Sequence, residues 1–167
     1  MSNINPTIFG YGFELDVNDI SYSIFTNFIM AHEETIRSRT NHQEISLLEF
    51  IKKNRNADTI DVSDLTEIPN FADIKNDFNE SRAYGIEAII ANIISNETGL
   101  RLQYEHTEDY TQTNCILLPY RAPWEYNEVE AKLNANALIN MLMPYFEELD
   151  IKPTLTEIHV EYNHEFL

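Results

Sequence analysis

Apolar and polar positions alternate from Ile8 to Val17. Phe9, Tyr11, Phe13, Leu15 and Val17 interleave with Ile8, Gly10, Gly12, Glu14 and Asp16. That period of two predicts a strand with one apolar face and a second face ending in carboxylates. Asp19 then stands where a helix cap belongs, and Ile20, Ile24, Phe25, Phe28, Ile29 and Ile36 recur on one side of a helix reaching about Ser38. A second helix is expected from His42 to Lys53, with Ile45, Leu48, Phe50 and Ile51 as its apolar positions.

After a connector from Ile60 to Pro69, Asn70 is placed to cap a long helix over Phe71 to Asn96. At 100° per residue, Phe71, Ile74, Phe78, Ile86, Ile89, Ile90 and Ile93 share one side. Asp73, Asp77, Glu80 and Glu87 fall on the opposite side within about 80°. Arg82 sits in the apolar stripe and is expected to snorkel or pair with a carboxylate. Gly99 suits the position just past the helix end. Leu100 to Glu105 and Cys115 to Pro119 read as strands joined by a polar loop. Asn127-x-x-Glu130 has the form of a capping box opening a helix through Leu133, Leu138 and Leu142, which Pro144 should kink or split. Ile158, Val160 and Tyr162 alternate with Glu157, His159 and Glu161 in a last strand.

The resulting order is β-α(αα)-β-β-α-β. It predicts a single α+β domain over residues 1–167 with a small, mainly antiparallel sheet, of the ferredoxin-like split β-α-β kind with an elaborated first crossover. In that arrangement the first and last strands are neighbours. The apolar fraction, 43%, supplies a real core.

Charge changes the picture. The chain carries 28 acidic residues against 11 Lys and Arg, a formal net charge of −17. Arg37, Arg39, Lys52, Lys53 and Arg55 form a basic island. Beyond it Asp58, Asp61, Asp64 and Glu67 recur every third residue, followed by the Asp73–Glu87 row. A phosphate backbone is bound by Lys and Arg, so direct nucleic-acid binding is not expected, and anionic membranes are disfavoured on the same grounds. Met1-Ser-Asn-Ile-Asn has no basic, apolar leader character, no apolar run approaches a membrane span, and the single Cys115 excludes an internal disulfide framework. A bacterial cytoplasm is the expected compartment.

Candidate chemistry is sparse. Glu14, Asp16, Glu157, His159 and Glu161 would share a sheet face if the outer strands pair with suitable register. Carboxylates with an imidazole can hold a divalent ion, as in a metal-dependent hydrolase. An ordinary solvated face explains the same residues, and no metal or other cofactor is expected. His32 lies in an apolar stripe and reads as a core-edge histidine satisfied by a partner. Cys115, within an apolar run, reads as structural. The segment Tyr120-Arg-Ala-Pro-Trp-Glu-Tyr126 holds residue types enriched at binding hot spots, although Trp124 beside Pro123 is expected to pack onto the core. There is no Gly-rich phosphate loop, Gly-x-Ser-x-Gly, His-Glu-x-x-His or Cys-x-x-Cys, so an enzyme is not expected.

Carboxylates three and four residues apart on a helix are about 5–6 Å from one another. A row at that spacing can occupy an Arg/Lys groove evolved for nucleic acid and can steer encounter with it. Asp58, Asp61, Asp64, Glu67, Asp73, Asp77, Glu80 and Glu87 are therefore the candidate partner-binding residues. Asn and Ile are abundant while Lys is scarce, which points to AT-rich coding with selection against Lys. Small, acidic, Lys-poor, motif-free chains of this character resemble the inhibitors carried by phages and mobile elements, of the anti-CRISPR and anti-restriction DNA-mimic type. The resemblance implies a non-enzymatic inhibitor whose partner is a basic nucleic-acid-binding protein such as a CRISPR effector or restriction nuclease. Immunity proteins that neutralise a nuclease toxin share the same look, a virion component fits the composition, and a homodimer is compatible with it.

Overall fold

The computed structural model describes residues 7–15, 20–38, 42–54, 86–106 and 114–161. Among them are four strands, β1 (Thr7–Glu14), β2 (Gln103–His106), β3 (Asn114–Pro119) and β4 (Thr156–Glu161). There are five α-helices: α1 (Tyr22–Ala31), α2 (Glu33–Ser38), α3 (His42–Asn54), α4 (Ile86–Thr98) and α5 (Ala135–Glu148). The strands form one open sheet in the order β2-β3-β1-β4, every neighbouring pair antiparallel. This is the α+β class and the split β-α-β order expected, with the first and last strands side by side. The first crossover carries α1 to α4.

Register decides which side chains meet, because directly opposed residues point to the same sheet face. Tyr11 pairs with Leu118 and Phe13 with Ile116, and Ile116 pairs with Tyr104. These residues join the main core with Phe25, Phe28 and Ile29 of α1, Leu48 and Ile51 of α3, Ile89, Ile90 and Ile93 of α4, and Leu142 and Phe146 of α5. On the other face Cys115 and Leu117 are buried with Ile158 packed against them, a second and smaller cluster. Leu117 lies over the glycines of β1. A Cβ on Gly12 would stand 2.2 Å from the Ile116 carbonyl oxygen, so close pairing of β1 with β3 requires glycine there.

Local chemistry explains the element ends. Ser21 caps α1 by accepting from the Ile24 N–H, and Asp19 lies outside the described residues. The helix expected to run unbroken to Ser38 is interrupted at His32, whose φ −111° and ψ 23° turn the chain between α1 and α2. Residues 55–85 lie outside the described part, so of the helix expected over Phe71 to Asn96 the structure speaks only for α4. That helix ends at Gly99 in the left-handed region, φ +84°.

The Asn127–Glu130 capping box forms, with the Glu130 N–H donating to Asn127 Oδ1 at 2.8 Å and the Asn127 N–H to Glu130 Oε1 at 3.2 Å. It opens only a single 3-10 turn, Glu130–Lys132, because Leu133 is extended, and Asn134 then caps α5. Pro144 does not split α5 into two elements. It sits on the exposed side, as does Asn140 four residues earlier, so water can satisfy the carbonyl that proline leaves without a donor. The helix closes in a Schellman pattern, with the Ile151 N–H on the Phe146 carbonyl and the Asp150 N–H, φ 52°, on that of Glu147.

Candidate functional site

Of the acidic row, Asp58, Asp61, Asp64, Glu67, Asp73, Asp77 and Glu80 lie outside the described residues. Glu87 departs from its expected solvent-facing position. It is buried, at 1% exposure, and accepts from the Asn114 side-chain amide at 3.1 Å. The helical wheel placed it opposite the apolar stripe, but the first turn of α4 is buried on every side, from Ile86 through Ala91.

The proposed carboxylate and histidine face is also divided. Glu14 pairs with Cys115 and so shares the face of the second cluster, whereas Glu157 and His159 pair with Tyr11 and Phe9 on the face of the main core. Glu161 pairs with Thr7, and Asp16 lies outside the described residues. The expectation required Glu157, His159 and Glu161 to share a face with Glu14. The register instead puts Ile158 opposite Gly10, where the second cluster receives it, and one residue of shift exchanges the faces. Among the described residues no three His, Cys, Asp or Glu are arranged to hold a metal ion.

Four of the described cations pair with carboxylates of the same chain. In the basic island, Arg37 donates to Glu33 at 2.9 Å and to Glu49 at 2.5 Å, and Lys52 Nζ reaches the same Glu33 oxygen at 2.6 Å. These pairs tie α2 to α3. The Lys52 and Arg37 hydrogen bonds lower the Glu33 pKa.

Arg101 and Arg121 converge on Glu130, whose side chain is 1% exposed. The Arg101 guanidinium grips both carboxylate oxygens, its backbone N–H adds a bond at 3.1 Å, and Arg121 lies 3.4 Å away. Burial alone would raise the Glu130 pKa. The Arg101 bonds, the Asn127 and Arg101 backbone donors and the Arg121 charge outweigh it and hold the carboxyl below its ordinary range.

The same node braces the Tyr120–Tyr126 segment. Arg101 Nη2 donates to the Glu125 carbonyl at 2.6 Å, the Ala122 N–H donates to Glu125 Oε2 at 3.0 Å, and the Asn127 amide donates to the Gly99 carbonyl at 2.7 Å. Trp124 does not pack onto the core as expected. It is 85% exposed on a one-turn 3-10 helix, Pro123–Glu125, with Tyr120 at 54% and Tyr126 at 40%. The buried Glu130 needed to hold it there is invisible in a local pattern, because Arg101 is 29 residues away.

His32 is the second cluster. It is 9% exposed, stacks near Tyr145, and places Nδ1 2.6 Å from Glu97 and Nε2 2.5 Å from Glu148. Thr35 and Tyr145 also donate to Glu97, at 2.7 and 2.9 Å. Burial opposes ionisation of Glu97, yet the Thr35, His32 and Tyr145 bonds together lower its pKa, while burial and Glu97 raise that of Tyr145. The core-edge histidine read from the sequence is correct. Its partners come from α4 and α5. An open cleft of about 470 Å³ adjoins it, lined also by Thr98, Met141 and Pro144. With a carboxylate on each ring nitrogen, neither is left to exchange a proton with an occupant of that cleft. Cys115 is buried, as a structural cysteine would be.

The chain matches no protein-family model, no curated protein and no solved structure. No helix among the described residues is long and apolar enough to cross a membrane.

Proposed function

We propose that the protein is an acidic, non-catalytic inhibitor that binds a nucleic-acid-handling host protein, such as a CRISPR effector or restriction nuclease, by occupying its basic channel. One observation carries the reading: in a chain of net charge −17, four of the seven described Lys and Arg residues are ion-paired with the protein's own carboxylates. Arg37, Lys52, Arg101 and Arg121 each hold a glutamate. Exposed carboxylates at Glu34, Glu125, Glu128, Glu147, Asp150 and Glu157 then lend the outer surface a negative field that steers a basic partner. Asp58, Asp61, Asp64, Glu67, Asp73, Asp77 and Glu80 would supply the ordered part of that surface, and buried Glu87 would not.

The test is capture of host proteins at low and high salt, with and without nuclease treatment, followed by competition with DNA. The expected partner is basic, is released by salt and is displaced by DNA. Unchanged affinity for it at low salt after charge reversal at Asp73, Asp77 and Glu80 would exclude the mimic.

A further inference from the structure

We infer that the exposed aromatic side chains of the Tyr120–Tyr126 loop, Tyr120, Trp124 and Tyr126, together with Phe9 bonded to Tyr120 through the backbone, are an anchor that receives arginine side chains of a basic protein partner. The inference rests on the reading that the partner is basic. The Tyr120 N–H donates to the Phe9 carbonyl at 2.9 Å, and Phe9 pairs with His159, so Tyr120 just past β3, Phe9 on β1 and His159 on β4 lie in a row. The Phe9 and His159 rings are 5.8 Å apart. Phe9 remains 51% exposed although it continues the face that Tyr11 and Phe13 bury. Large aromatic rings are normally covered in a monomer, and their exposure together marks an interaction surface.

Two features select the occupant. First, Glu157 on β4 faces Tyr120 across β1, within reach of its charge, and Glu125 and Glu128 adjoin Trp124 and Tyr126 in the chain, all exposed. With Arg101, Arg121 and Glu130 of the brace counted, these carboxylates still leave the segment net negative, which disfavours phosphate and attracts cations. Ring faces add cation–π attraction, for which arginine is favoured because its planar guanidinium also stacks. Second, the loop is braced before any partner arrives, through Arg101 to the Glu125 carbonyl and through Glu130. A loop whose backbone is ordered beforehand loses less freedom on binding, a property that favours a hot spot.

The chain has one tryptophan, so the anchor reports on itself. The probe is a fluorescent peptide of alternating Arg and Gly. Polarisation detects binding anywhere, and Trp124 emission detects binding at the loop. We expect Trp124 emission to shift blue and to resist acrylamide quenching as polarisation rises, the Lys–Gly peptide to bind more weakly, and Trp124→Ala to weaken Arg–Gly binding on the order of tenfold. Trp124→Phe, which keeps an aromatic face, should retain most of the affinity, and circular dichroism verifies that both variants fold. Peptide binding with silent Trp124 and no loss in Trp124→Ala would overturn the anchor and leave the acidic-binder reading intact. Failure of the peptide to bind at low salt would remove both. An oligo-dT strand that shifts Trp124 emission would show that the rings take nucleobases, and the arginine anchor would fall.

Discussion

Glu130 and Glu105 are two carboxylates withdrawn from water with opposite results. Glu130, on the turn before α5, is the more deeply buried, yet its pKa is lowered because Arg101 and Arg121 enclose it. Glu105, on β2 opposite Cys115, is half-buried, and burial alone pushes it up to about 7. Depth therefore does not decide the state of a carboxylate in this protein; the donors and charges placed around it do. Among the described residues, the ion-paired Lys and Arg brace the loop that presents Trp124 and the α2–α3 junction. His32 inverts the arrangement, with two carboxylates about one imidazole.

The largest effect should come from dismantling the Glu130 node. Glu130→Ala leaves two guanidiniums without their carboxylate and should lower stability by about 3 kcal/mol, read from urea denaturation. If it costs less than the His32 variant, bracing of the loop is not the main use of the pair. His32→Ala, which leaves Glu97 and Glu148 without the ring between them, should cost about 2 kcal/mol in the same assay.

Glu105→Gln should do the reverse and stabilise the protein, by on the order of 1–2 kcal/mol above pH 7. The signs follow from linkage. The raised folded pKa of Glu105 means that between the ordinary carboxylate range and about 7 the folded state binds more protons, so stability falls as pH rises through that window. Gln removes the slope. For Glu130 and Glu97, whose folded pKa values are lowered, the contribution is complete above the ordinary carboxylate range and is lost as pH falls through the lowered values. A stability profile of Glu105→Gln parallel to that of the parent protein between pH 5 and pH 7 would refute the contrast. The smallest effect is expected from Trp124→Ala, within about 0.5 kcal/mol of the parent, because an exposed ring contributes little to folding. A larger loss would mean that Trp124 supports the fold.

Elements with strong local signals were legible in the sequence. The alternation in β1, the apolar stripe of α3, the glycine stop at Gly99 and the Asn127–Glu130 box all formed, since each depends on residues within a few positions. Pairing of the first and last strands followed from element order. The site was less legible for the same physical reason. The face shared by Glu157 and His159 depends on β4 register, which only the two apolar layers of the sheet set. Burial of Glu87 depends on what packs around α4, and the exposure of Trp124 on a bond network spanning Arg101 to Glu130.

By itself, the sequence determined the α+β order, the extreme net charge and the scarcity of cations, because composition and period are properties of the chain alone. Tertiary structure decided where the cations go. It set Arg101 and Arg121 about Glu130, left Glu105 without such help, and turned Trp124 outward, because Coulomb attraction and burial act between residues that only folding brings together.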